Sequence, residues 1–165
     1  MHNLSLIVAI ANNNAIGVNN ALLCHLPDDL KRFKRLTTGN KVIMGKRTFF
    51  SLPRRPLPNR TNIVITDIEN EQLEGCTMAY SINQVLELCH NAQESFVIGG
   101  ASVYKQMLPF CSTLYLTRIY ADFEADAFFD SINFDEWELV ENENHEADEA
   151  NPYPFAYLTY KRRLQ

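Results

Sequence analysis

Short apolar runs, separated by helical segments and bounded by turn residues, specify an α/β protein with a mostly parallel central sheet flanked by helices. The runs are rich in β-branched residues and lack clean polar alternation, as strands covered on both faces do. The C-terminal part differs. Glu136–Glu143 and Phe155–Arg163 have no helix between them, so they pair as an antiparallel hairpin that closes one edge. At 165 residues the chain reads as one domain, 1–165, large enough to bury a proper core.

Leu4–Ala11 is the first strand. Its Ala-Ile-Ala end imitates a secretory cleavage site, but no basic segment precedes the run, so a buried strand and a cytoplasmic protein are expected. Pro27–Thr37 is the first helix, with Pro27 in the first turn, where a missing N–H costs nothing. Strands follow at Lys41–Met44, Asn62–Thr66, Ser95–Ile98 and Thr113–Thr117. Helices are expected near Thr48–Leu52 and over Asn83–Asn91 and Ser102–Leu108. Asn-Pro and Tyr-Pro pairs mark Asn144–Pro154 as the connection inside the terminal hairpin.

Hydrophobic residues make up 46% of the chain and charged residues 21%, an ordinary balance for a folded soluble protein. A net charge of −5 argues against non-specific attachment to nucleic acid or to an anionic membrane. Any anionic ligand must therefore be held by local cations. The four cysteines, Cys24, Cys76, Cys89 and Cys111, form no C-x-x-C pair, and no histidine stands at finger-like spacing. No metal site is expected, and free thiols in a reducing compartment suit a chain of this size.

Three segments carry candidate chemistry. In Leu26-Pro-Asp-Asp-Leu-Lys-Arg-Phe33, the residues Leu26, Asp29, Leu30, Phe33 and Leu36 share one helical face, while Asp28, Lys31, Arg32 and Arg35 share the solvated one. A carboxylate on an apolar stripe must be paired, protonated or useful. The bland alternative is that both acids only complement the positive end of the helix dipole. The second feature is a pair of strand ends that run through glycine into a helix: Val42-Ile-Met-Gly-Lys-Arg-Thr48 and Phe96-Val-Ile-Gly-Gly-Ala-Ser-Val-Tyr104. Each presents backbone N–H groups to a phosphate, and two such sites on one sheet suggest a dinucleotide. Lys46 and Arg47 supply the local cations. The third is Arg54-Arg55-Pro-Leu-Pro-Asn-Arg60, where prolines stiffen the chain and aim Arg60 for capture of a carboxylate.

These segments together resemble dihydrofolate reductases of the bacterial chromosomal type. The resemblance runs in order along nearly the whole chain. Its pieces are Leu4–Ala11 with Ala15-Ile-Gly17, Leu26-Pro-Asp-Asp-Leu with Phe33, Lys41-Val-Ile-Met-Gly45 and Arg55-Pro-Leu-Pro-Asn-Arg-Thr-Asn-Ile-Val-Ile-Thr66. Phe96-Val-Ile-Gly-Gly100, Leu114-Tyr-Leu-Thr-Arg-Ile119 and Phe123-Glu-Ala-Asp126 complete it. The resemblance implies that NADPH reduces dihydrofolate to tetrahydrofolate in a monomer that antifolates inhibit. It implies Asp29 as the ionisable group at the pteridine, with Thr117 supporting it. Ile7, Ala9, Leu30, Phe33, Leu52 and Leu57 would line the folate cleft, Val8 would also bind substrate, and Arg60 would bind the glutamate tail. Ile16, Gly17, Ala21 and Leu22 would belong to a loop that closes over the nicotinamide, and Ala9 and Asn20 would also bind the cofactor. Gly45, Lys46, Arg47, Thr48, Thr66, Ser81 and the run Ile98, Gly99, Gly100, Ala101, Ser102, Val103 and Tyr104 would hold the rest. It also implies a cis Gly99–Gly100 peptide.

Three departures from the family pattern stand out. Leu23-Cys24 replaces the usual Pro-Trp, which leaves room beside the pteridine. Pro53-Arg54-Arg55 is one residue longer than the usual connection. Asp67 follows Thr66 where a small hydroxyl residue commonly meets the cofactor 2′-phosphate, so a weakened NADPH preference is expected. Two other functions fit the same framework: a pterin or pyrimidine reductase of the riboflavin-synthesis type, and a nucleotide-binding module without turnover. Arg60 argues against the first, because that substrate has no glutamate tail. Asp29, Phe33 and Thr117 together argue against the second.

Overall fold

In the computed structural model, residues 3–91 and 93–164 are described; Met1, His2, Ala92 and Gln165 of the expected domain lie outside them. The strands are β1 (Leu4–Ala11), β2 (Ala15–Gly17), β3 (Lys41–Gly45), β4 (Thr61–Ile65) and β5 (Cys76–Ala79), then β6 (Ser95–Gly99), β7 (Thr113–Ile119), β8 (Ala127–Phe128), β9 (Trp137–His145) and β10 (Phe155–Arg162). The helices are α1 (Pro27–Thr37), α2 (Lys46–Ser51), α3 (Ile82–Leu88) and α4 (Ala101–Met107). Eight strands form one sheet in the order β5-β4-β3-β6-β1-β7-β10-β9. The six from β5 to β7 run parallel, and β10 and β9 add to the β7 edge in antiparallel fashion. This is the expected architecture, with a terminal hairpin closing the sheet.

β1 shows why the sheet is covered twice. Leu4, Leu6, Val8 and Ile10 face one cluster with Ile43, Ile63, Val97, Leu114, Met107 and Val85. Ile7 faces the other, built from Val42, Met44, Phe49, Val64 and Phe96 and flanked by Phe33 and Leu36 of α1. Side chains alternate along a strand, so two apolar faces require helices on both sides. β9 lies at an edge and is exposed along most of its length, where its glutamates discourage further strand addition.

α1 spans the expected residues. Leu26 is its N-cap in extended conformation, Asp28 and Asp29 lie in the first turn, and Lys34 and Arg35 lie in the last, all matched to the helix dipole. Three strands were not anticipated. β2 and β8 pair with each other as a small antiparallel ribbon, and β5 adds a parallel strand outside β4. The turn before β5 contains Gly75 at φ +77°, a conformation that L side chains rarely adopt. The Arg55–Pro56 and Gly99–Gly100 peptides are both cis.

Candidate active site

The register of the central strands sets the site. Ala9 of β1 lies beside Thr117 of β7. The Thr117 hydroxyl donates to Asp29 Oδ1 at 2.5 Å, tying the start of α1 to the sheet. Asp29 opens into a narrow cleft lined by Ala9, Ile16, Leu22, Leu23, Cys24, Leu26, Leu30 and Ile119. It is the one formally charged side chain in that lining. Burial pushes its carboxyl above the usual aspartate range, while the Thr117 bond and the nearby Arg32 charge oppose the rise. Cys24 faces the same cleft, and burial followed by the Asp29 charge pushes its thiol up. The apolar-stripe reading of Asp29 thus corresponds to an actual cleft.

Two charged neighbours behave differently from expectation. Arg32 is not on a solvated face: its guanidinium lies 4.2 Å from the Tyr157 ring centroid and 5.8 Å from that of Tyr115. Burial lowers its pKa and the Asp29 charge opposes that shift, so the two groups sense each other. Its position three residues after Asp29 was the available signal, since i, i+3 residues are neighbours on a helix. Asp28 is exposed but engaged. Its backbone N–H donates to Asn151 Oδ1 at 3.3 Å, and Asn151 Nδ2 donates to Asp28 Oδ2 at 3.1 Å. Asn151 is buried, so this pair anchors the helix start to the β9–β10 connection.

Phe33, Leu52 and Leu57 pack against the cluster that contains Ile7, extending an apolar wall away from Asp29. Leu30 is 40% exposed and stands at the mouth. Val8 can serve the substrate site only through its main chain, because its side chain belongs to the opposite cluster. Arg60 donates from Nε to the Pro58 carbonyl at 2.9 Å and from Nη1 to Thr37 Oγ1 at 3.1 Å. These two bonds use part of a five-donor fork and fix its direction at the end of α1.

The two glycine loops come together because β3 and β6 are neighbours, with Met44 opposite Gly99. Gly45 and Gly100 are the N-caps of α2 and α4, and neither helix start has a side-chain cap bond. A Cβ on Gly45 would lie 3.2 Å from Val103 Cγ2, and one on Gly99 would lie 3.4 Å from Thr48 Oγ1, with Gly99 at φ +131°. A side chain at Gly45 would press on Val103, and Gly99 holds a backbone conformation that L side chains rarely adopt, so glycine is needed at both strand ends. Arg47, Asp67 and Ser102 are exposed, and Ile98 and Ala101 are half-buried. Val103 and Tyr104 turn inward. The Tyr104 hydroxyl lies 2.8 Å from the carbonyls of both Ile7 and Ile98, and burial pushes its pKa up.

The remaining expected residues are more dispersed. Ile16 and Gly17 lie in the β2–β8 ribbon. Asn20, Ala21 and Leu22 follow in a tight turn closed by two bonds between Val18 and Ala21, and Leu22 is 60% exposed. Ser81 caps α3, its hydroxyl accepting the Gln84 N–H at 3.1 Å. Lys46 and Thr66 share a partner that sequence reasoning missed. Lys46 Nζ is 3.2 Å from Glu71 Oε2, and the Thr66 hydroxyl donates to Glu71 Oε1. Among the described residues, no cluster of three or more His, Cys, Asp or Glu could hold a metal ion.

The family model described as "Dihydrofolate reductase" matches residues 3–162. The chain is 42% identical over 160 residues to the dihydrofolate reductase of Bacillus subtilis (strain 168), covering 97% of this chain and 95% of that protein. It is 40% identical over 160 residues to the type 3 dihydrofolate reductase of Salmonella typhimurium, covering 97% of this chain and 98% of that protein. Among solved structures it is similar to the dihydrofolate reductase from Enterococcus faecalis complexed with NADP(H) and RAB-propyl. The TM-score is 0.92 at 38% identity, covering 98% of this chain and 96% of the other. A mostly parallel sheet with a half-buried aspartate of its first helix bonded to a threonine of β7, matched over nearly the whole chain by these relatives, makes this chain a member of the dihydrofolate reductase family.

Proposed function

We infer that this protein reduces 7,8-dihydrofolate to 5,6,7,8-tetrahydrofolate with NADPH, supporting one-carbon metabolism and thymidylate synthesis. The observation that carries this reading is the Asp29–Thr117 pair, in which Asp29 is the one charged side chain among the described residues lining an otherwise apolar cleft beside β1. Asp29 holds N3 and the 2-amino group of the pteridine, and its negative charge favours the ring protonated at N5. A water molecule delivers that proton. Bound NADPH supplies the hydride that reduces C6. Ile7, Leu30, Phe33, Leu52 and Leu57 hold the ring and the benzoyl group and exclude bulk water. Arg60, aimed by Pro58 and Thr37, takes the α-carboxylate of the glutamate tail. The segment from Ile16 to Leu22 covers the nicotinamide, while the Gly45 and Gly99–Gly100 loops take the pyrophosphate.

Diaminopyrimidine antifolates would compete for the same carboxylate. The acidic chain takes no nucleic acid or membrane partner in this reading, and it acts as a cytoplasmic monomer. No helix among the described residues is long and apolar enough to cross a membrane. The test is oxidation of NADPH by the purified protein with dihydrofolate, set beside a ribosylated aminopyrimidine that lacks the glutamate tail. Turnover of dihydrofolate alone is expected. Turnover of the aminopyrimidine alone would move the protein to the riboflavin-type reductases, and turnover of neither would leave a nucleotide-binding module.

A further inference from the structure

We propose that Glu71 sets how strongly this protein prefers the phosphorylated nicotinamide cofactor, by holding its own carboxylate where the cofactor 2′-phosphate must bind. The proposal rests on the cofactor-binding reading above, in which Lys46 and Thr66 belong to the dinucleotide site and the 2′-phosphate falls beside the end of β4. Glu71 lies in the loop between β4 and β5, and both of its oxygens are engaged. Oε1 accepts the Thr66 hydroxyl and Oε2 lies 3.2 Å from the Lys46 ammonium. One hydroxyl and one ammonium are the donor set that a phosphate monoester needs. The same chain therefore satisfies its phosphate ligands with an internal anion.

The Glu71 backbone is fixed: its N–H donates to the Ile68 carbonyl at 3.2 Å, and its own carbonyl accepts from the Tyr80 hydroxyl at 2.8 Å. Only the side chain is left to move. The Thr66 bond first, and Lys46 after it, hold its carboxyl below the usual glutamate range, so it is ionised at neutral pH. A 2′-phosphate must then displace a charged group from both donors. Asp67 adds a second negative charge next to Thr66 in the chain. An unphosphorylated ribose meets no such conflict, because a carboxylate accepts hydrogen bonds from free 2′- and 3′-hydroxyls. Glu71 thus penalises NADPH and tolerates NADH, narrowing the gap between them.

The experiment titrates the intact protein by calorimetry with 2′,5′-ADP and with 5′-AMP, the adenosine end of the cofactor with and without the phosphate. Wild type, Glu71→Gln, Glu71→Ala and Lys46→Ala are compared, with a thermal melt for each to establish folding. Both Glu71 variants should bind 2′,5′-ADP about ten-fold more tightly than wild type, since like charges in contact repel strongly where water is partly excluded. Their affinity for 5′-AMP should stay level or fall. Unchanged or weaker binding of 2′,5′-ADP by the Glu71 variants would overturn the proposal. If Lys46→Ala still weakens 2′,5′-ADP binding in that case, the assignment of the phosphate site stands and only the role of Glu71 falls. If Lys46→Ala has no effect either, the phosphate-site assignment fails as well.

Discussion

Asp29→Asn should leave a protein that is more stable than wild type at neutral pH and far less active. Burial raises the native carboxyl above its ordinary value of 3.8, so the folded protein binds the Asp29 proton more tightly than the unfolded chain does. That preference contributes stability below the ordinary aspartate value, and the contribution is lost as pH rises through the native one. At neutral pH the ionised carboxylate is therefore a cost to the fold. Thr117 and Arg32 offset part of it, because a hydrogen bond to a charged group contributes about 1.5–3 kcal/mol. Asparagine keeps the Oδ1 acceptor for Thr117 and removes the charge. The net gain should be on the order of 1 kcal/mol, within the range usual for relieving a functional site. For a chain of this size that raises Tm by roughly 2–4 °C. Melts of both proteins from neutral pH down toward about pH 4 should show the gap closing as the wild-type carboxyl takes up its proton. A variant less stable than wild type at neutral pH, or a gap independent of pH, would refute the reasoning.

Arg60→Ala should lower kcat/KM for dihydrofolate by roughly 1.5–3 kcal/mol and spare a pterin without the glutamate tail; equal losses on both would make Arg60 a structural residue. Arg32→Leu removes the cation that opposes the rise at Asp29, so the Asp29 carboxyl, followed by NMR titration, should move further up. An unmoved titration would show that Arg32 serves only Tyr115 and Tyr157. Cys24 is held protonated by burial and by Asp29, so alkylation at neutral pH should be slower than for a free thiol. It should speed up in Asp29→Asn and be blocked by bound folate; reaction indifferent to both would place Cys24 outside the cleft.

Much of this was legible in the chain because the signals were local. Pro27 and the stripe from Leu26 to Leu36 fix α1, and the β-branched runs fix the inner strands. Asp29 could be picked from its neighbour Asp28 by helical phase alone. The ribbon of β2 and β8 could not, because strands of three and two residues are too short to show a period. β5 was hidden for a related reason: Cys-Thr-Met-Ala has little apolar contrast, and its place is set by pairing with β4. Arg32 was misplaced because the aromatic rings that shelter it come from β7 and β10, far along the chain. Glu71 was missed for the same reason, since its pairing with Lys46 depends on the β4–β5 loop reaching the start of α2. The side Val8 faces was legible too: period-two alternation already puts its side chain opposite that of Ile7.

The role given to Asp29 is tested by the pH dependence of single-turnover hydride transfer from NADPH to dihydrofolate in wild type and Asp29→Asn. If the carboxylate acts by favouring a protonated pteridine, the variant should lose about 10²–10⁴-fold at neutral pH. Acidification should then restore part of the rate, because the substrate arrives already protonated. A loss of the same size at every pH would contradict the account and leave Asp29 as a binding contact only.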